Sequence, residues 1–192
     1  MNSFQIKSHC KINLTLKVKN KLNSGYHNIT SLITFCALHD SISISKTHKY
    51  KDEIVFTGKF KKGINKKSNT ISRLLKLLRS KKLLKDQFFK INIKKNIPHG
   101  SGLGGGSSNA ADLLNYFDSK INLKMGKKKK EKLARIVGFD VPISLERKNS
   151  FLTGKKDEII RLKKKFNLNL LIVYPNIICS TQRIFKENKK RG

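Results

Sequence analysis

Five of the chain's 12 glycines fall within seven residues, 100–106, between two segments of opposite periodicity. Before them, Phe89, Ile91 and Ile93 alternate with polar residues, the pattern of a strand. After them, Ala110, Leu113, Leu114 and Phe117 share one face of a helix. A strand, a dense glycine turn and a helix confine the chain to folds in which backbone N–H groups converge at a helix start. Glycine removes the Cβ that would block such a turn. The helix N-terminus adds unpaired N–H groups and the positive end of its dipole. The product is a cradle for a di- or triphosphate. Ser107 and Ser108 read as the cap of that helix and as hydroxyls for phosphate or Mg²⁺.

Two common glycine loops do not account for it. A P-loop needs Gly-Lys-[Ser/Thr], whereas Gly106 is followed directly by Ser107. Gly100-x-Gly102-x-x-Gly105 matches the dinucleotide fingerprint in form, but residues 119–124, where an acid should follow, contain none. A flexible linker fits poorly between a strand and a helix.

The rest of the chain mixes strands and helices without regular βαβ alternation, so the fold class is α+β. Ile12, Leu14, Leu16 and Val18 alternate along one strand, and Asn23-Ser24-Gly25 marks a turn. Residues 29–38, 42–44 and 53–57 read as three further strands, and 59–68 as a basic loop. Asn69 can cap a helix with Ile71, Leu74, Leu75 and Leu78 inward. A second helix is expected over 128–137, strands at 150–152, 158–160 and 168–174, and a last helix over 181–186.

Charge needs separate weighing: 43 basic against 12 acidic residues give +31. Such a balance ordinarily points to nucleic acid. Yet only seven of the basic residues are Arg, which leaves 36 Lys, and the clusters 127–130 and 163–165 lack interleaved aromatics. Arg is the residue suited to bidentate phosphate and base contacts, so a biased, solvated surface with no specific nucleic-acid partner is the reading. Cys10, Cys36 and Cys179 are odd in number and far apart, so free, mostly buried thiols are expected. The five His show no zinc spacing, and no metal site is expected. No apolar run approaches about 18 residues, and Met1–Cys10 lacks a signal-type apolar core, so a cytoplasmic protein with no membrane partner is expected.

A phosphate cradle invites a search for a base. Asp52, Asp86 and Asp157 sit among lysines and read as solvated. Asp140 is flanked by Phe139 and Val141, with Gly138 and Pro142 beside them, and reads equally as a helix cap or a catalytic carboxylate. Lys11 interrupts an apolar strand start and, taken alone, reads as pointing outward.

Residues 97–111, Ile-Pro-His-Gly-Ser-Gly-Leu-Gly-Gly-Gly-Ser-Ser-Asn-Ala-Ala, resemble the phosphate loop of the GHMP kinases. Lys11-Ile12-Asn13-Leu14, Gly25-Tyr26-His27 and Gly138-Phe139-Asp140-Val141-Pro142 extend the resemblance over residues 6–188. They narrow it to members that phosphorylate the 2-hydroxyl of 4-diphosphocytidyl-2-C-methyl-D-erythritol in non-mevalonate isoprenoid biosynthesis. The resemblance implies ATP and Mg²⁺ as cofactors and this small molecule as substrate. It implies Asp140 as general base and Lys11 as its partner, the ammonium stabilising a developing alkoxide. It assigns the ATP site to Asn69, Pro98, His99, Gly100, Ser101, Gly102, Leu103, Gly104, Gly105, Gly106, Ser107 and Ser108. Tyr26 and Phe185 would sandwich the cytosine, His27 would bond its polar edge, and Asn13 would position the substrate. Phe139 departs from the small residue usual beside the base. The resemblance also implies an N-terminal ATP-binding domain over 1–160 and the start of a truncated C-terminal domain over 161–192, the missing part being either supplied by a complementing chain or dispensable if the kinase is active. Two alternatives are a non-catalytic remnant that binds nucleotide and a basic nucleic-acid-associated protein.

Overall fold

The computed structural model describes residues 3–21, 27–153, 158–175 and 177. Its frame is a long antiparallel pair, β1 (Phe4–Lys21) and β2 (His27–Thr47). The expected turn at 23–25 and the helix at 181–186 lie outside the described residues. Residues 29–38 and 42–44 are not separate strands but parts of β2, because β1 pairs with it along nearly its whole length. On its other edge, β2 pairs antiparallel with β4 (Phe88–Lys94) through residues 41–47 and with β5 (Ser150–Thr153) through 31–33. β3 (Glu53–Thr57) adds parallel to β4, and β6 (Glu158–Arg161) antiparallel to β5. The result is one mixed six-stranded sheet. The apolar run 168–174 is not a strand: no strand pairs with it among the described residues, and Leu171 and Val173 are exposed.

Helix α2 (Gly105–Lys120) packs on β1 and β2. Around it lie α1 (Thr70–Ser80), α3 (Lys127–Val137) and the short α4 (Val141–Ser144). The core follows the periodicities. Phe89, Ile91 and Ile93 of β4 and Ile42 and Ile44 of β2 meet Leu74, Leu78, Leu113, Leu114 and Phe117. Phe89 and Phe117 cross edge-to-face at 5.0 Å between centroids, both fully buried. Phe117→Ala removes a ring from this contact and leaves a cavity, so a loss of about 3–5 kcal/mol is expected, measured as the shift in urea unfolding.

Asp52 is not solvated as its lysine-rich neighbourhood suggests. Its carboxylate takes Arg79 Nε at 3.1 Å, Arg79 Nη2 at 2.9 Å and the Phe89 amide at 2.9 Å, tying α1 to β4. Cys10 is buried and Cys36 half-buried, and both are free thiols as expected, with their sulfurs 2.8 Å apart; Cys179 lies outside the described residues. Among the described residues no helix is long and apolar enough to cross a membrane.

Candidate active site

The chain leaves β4 at Lys94 and turns through 95–104 before α2 begins at Gly105. Gly100, Gly102 and Gly104 hold φ of 72°, 77° and 67°, the left-handed region that glycine tolerates. No serine caps α2: Gly104 is the N-cap and makes no side-chain bond, so the first amides of the helix stand open. The loop braces itself through Ser101 Oγ, which donates to the Pro98 carbonyl at 2.8 Å. Two bonds anchor its far end and the start of α2 to other elements. The Lys11 amide donates to Leu103 O at 3.0 Å, and Thr70 Oγ1 donates to Gly106 O at 2.7 Å. The first anchor exists because β1 slips register against β2 between His9 and Lys11, which turns the Lys11 amide away from the ladder.

The loop forms one wall of a cleft of about 760 Å³. Lys11, Asn13, Asn69, residues 98–107 and Asp140 all line it. Ser108 does not: it is buried, with its hydroxyl 3.2 Å from that of Ser144. Lys11 does not point outward as its local sequence suggests. Only 6% exposed, it lays its aliphatic stem along Gly104, and its Nζ lies 2.6 Å from Asn13 Oδ1 and 3.4 Å from Asp140 Oδ2. Asn13 Nδ2 in turn donates to Ser31 Oγ at 2.6 Å, and Ser31 donates to Thr15 O. Both ends of the Asn13 amide are therefore engaged, and the ammonium is aimed at the carboxylate.

Two candidates sit at helix N-caps, with opposite outcomes. Asn69 spends its side chain on capping: Oδ1 accepts from the Ile71 and Ser72 amides, and Nδ2 donates to the carbonyls of Asn65 and Lys66. Asp140 occupies the N-cap position of α4 without a side-chain cap bond. Its carboxylate is 43% exposed and pairs with Lys11 in the cleft, uncommitted to capping. Phe139 beside it is exposed. Tyr26 and Phe185 lie outside the described residues, as does the side chain of His27, whose backbone opens β2.

Sequence reasoning missed Thr70, Lys95 and Asn109, which also line the cleft. Lys95 carried a signal, since it continues the inward phase of Phe89, Ile91 and Ile93. Its charge acts on the loop. Desolvation pushes the His99 imidazolium below the ordinary histidine value of 6.5, and the Lys95 charge pushes it further. A depressed histidine favours the folded state above the unfolded value, and the contribution is lost as pH falls below it. His99 is therefore expected to titrate below 6.5 in an NMR titration, and to rise in Lys95→Met.

The arrangement suits phosphoryl transfer: an anion cradle at a helix start, an accessible carboxylate, and a buried ammonium beside it. The residues fit a phosphate, because the first amides of α2 are left uncapped beside the cleft, and a Cβ on Gly104 would meet Lys11 Cγ at 2.6 Å, so the loop admits only glycine there. Among the described residues no group of three His, Cys, Asp or Glu side chains could hold a metal ion. A phosphate-borne Mg²⁺ needs few protein ligands, and Ser107 at the start of α2 offers a hydroxyl.

The N-terminal domain of the GHMP kinases matches residues 69–147. Over 187 residues the chain is 44% identical to the 4-diphosphocytidyl-2-C-methyl-D-erythritol kinase of Pelagibacter ubique, covering 97% of this chain and 66% of that protein. It is 33% identical to the same kinase of Caldanaerobacter subterraneus, covering 98% of this chain and 63% of that protein. A crystal structure of 4-(cytidine 5'-diphospho)-2C-methyl-D-erythritol kinase superposes with a TM-score of 0.67 at 26% identity, over 83% of this chain and 55% of that one. The chain thus spans slightly less than two thirds of the length of these curated relatives.

Proposed function

Because the chain belongs to the GHMP kinases, whose N-terminal domain it carries, we propose that it transfers the γ-phosphoryl group of ATP to the 2-hydroxyl of 4-diphosphocytidyl-2-C-methyl-D-erythritol. The observation that carries this reading is the Lys11–Asp140 pair, 3.4 Å apart, in the cleft that the glycine loop lines. The loop amides and the start of α2 take the ATP phosphates. Asp140 accepts the proton of the attacking hydroxyl, and Lys11 steadies the oxygen as charge develops on it. Asn13 and Ser31 fix where the ammonium points. Mg²⁺, when bound with ATP, neutralises phosphate charge. Tyr26, His27 and Phe185 hold the cytosine, and residues 1–160 form the ATP-binding domain, with 161–192 the start of a second. Among the described residues the last sheet strand ends at Arg161, which supports that division.

The test is incubation of the protein with ATP, Mg²⁺ and 4-diphosphocytidyl-2-C-methyl-D-erythritol, followed by ³¹P NMR. A new phosphomonoester resonance is the expected result. Its absence from a folded sample that binds ATP would overturn the reaction and leave the nucleotide site standing. Steeply salt-dependent RNA binding without ATP binding would overturn both.

A further inference from the structure

We propose that Asp40 is the positioning residue of the glycine loop: its buried carboxylate joins the loop's entry to α2 and holds the cradle in its phosphate-receiving form without touching the nucleotide. The inference rests on the reading that the loop binds ATP phosphates.

The sheet creates the need for such a residue. β2 pairs with β4 only as far as Ser41 opposite Lys94, and with β5 only from Ile33 backward. The chain then leaves β4, and the amides of Asn96 and Ile97 have no strand to bond. Buried amides must find an acceptor. Asp40, one residue beyond the last β2–β4 pair, supplies it: Oδ1 accepts from Asn96 N at 2.8 Å and Ile97 N at 2.9 Å. Oδ2 accepts from the Lys95 ammonium and from Asn109 Nδ2 at 3.1 Å, the latter on the second turn of α2. A Cβ on Gly105 would stand 3.4 Å from the same Oδ2, which places the carboxylate beneath the first residue of α2. One side chain therefore ties both walls of the cradle.

The pair also sets the charge beneath the cradle. Asp40 is fully buried and Lys95 is 3% exposed. Burial pushes the Lys95 ammonium below the ordinary lysine range, and the Asp40 carboxylate opposes that shift. A buried ion pair is weak evidence of stability, since an apolar pair of similar volume often serves as well. Here its geometry has a specific use. A carboxylate accepts all four donors, and Lys95 cancels a charge that would repel phosphate. Neither a methionine nor an amide pair reproduces both.

The experiment compares the parent protein with Asp40→Leu, which removes the acceptor at similar volume, Lys95→Met and the double variant. Each is measured for melting temperature, for the Kd of a fluorescent ATP analogue with Mg²⁺, and for hydrogen exchange at the Asn96 and Ile97 amides. The single variants leave an uncompensated buried charge and melt lower. The double variant leaves none and regains most of that loss. Its Kd stays at least about tenfold weaker than the parent's, and exchange at 96 and 97 stays about tenfold faster or more, because the clamp is gone. If Asp40→Leu does not fold, the double variant carries the comparison. A double variant that recovers Kd together with melting temperature would reduce Asp40 to a structural role and overturn the proposal. Unchanged exchange at 96 and 97 would overturn it as well. A parent protein that fails to bind the analogue would instead sink the nucleotide reading, while exchange at the two amides still decides whether Asp40 positions the loop.

Discussion

Asp140→Asn will lower turnover by about 10²–10⁴-fold, the usual contribution of a positioned general base. The substitution keeps the shape of the side chain and removes its capacity to take a proton. It also has a clean structural background. Asp140 occupies the N-cap position of α4 but forms no cap bond, so no helix end is lost with the carboxylate. The side chain is 43% exposed, and its partner Lys11 keeps its bond to Asn13 Oδ1 at 2.6 Å. The melting curve should therefore move by no more than about 0.5 kcal/mol, the range of ordinary surface substitutions. ATP affinity should hold as well, since the carboxylate pairs with Lys11 and not with a residue of the loop. Rates of ADP release in the presence of the acceptor alcohol, set beside a thermal melt, make the comparison. Turnover within a few-fold of the parent would remove Asp140 from the chemistry and leave Lys11 without a catalytic partner.

That prediction depends on a distinction local sequence does not make. Asn69 and Asp140 both look like helix starts, and only the placed side chains separate the cap from the free carboxylate. Lys11 is similar. A lone lysine at a strand start has no local reason to turn inward; what draws it in is a register slip in the β1–β2 pair and a loop nearly a hundred residues away. The glycine loop itself was legible, because positive φ leaves a direct mark on composition. The capping role given to its serines was not, since Gly104 takes the N-cap and buries Ser108 behind it. Asp40 and Lys95 were legible in principle. Each continues an inward phase, Asp40 with Ile42 and Ile44, Lys95 with Ile91 and Ile93. Opposite charges at inward positions of two strands call for each other, but only pairing of those strands puts them in reach. The long strand β2 was split for the converse reason: its polar residues look like a break until β1 supplies continuous partners.

Gly104→Ala should cost more than its single methyl suggests, and Gly102→Ala shows why. Both glycines hold left-handed backbone, φ 67° and 77°, so both substitutions carry a conformational cost of about 1 kcal/mol. At Gly102 a Cβ meets nothing within 4 Å, and that cost is the whole effect. At Gly104 the Cβ arrives 2.6 Å from Lys11 Cγ and 3.1 Å from Cε. Lys11 cannot yield cheaply. Its amide is bonded to Leu103 O, its Nζ to Asn13 Oδ1, and its stem is buried against the loop. Either the ammonium leaves Asp140 or the loop lifts away from β1, and each damages the reaction. The expected outcome is a fall in kcat/KM of about 100-fold for Gly104→Ala, against about tenfold or less for Gly102→Ala, with the difference set by misplacement of the reacting groups. ATP binding measured on both variants separates the two routes. A weaker Kd at Gly104→Ala means the loop has moved, whereas an unchanged Kd with reduced kcat means Lys11 has. Equal losses at the two glycines would show that Lys11 is not held against the loop.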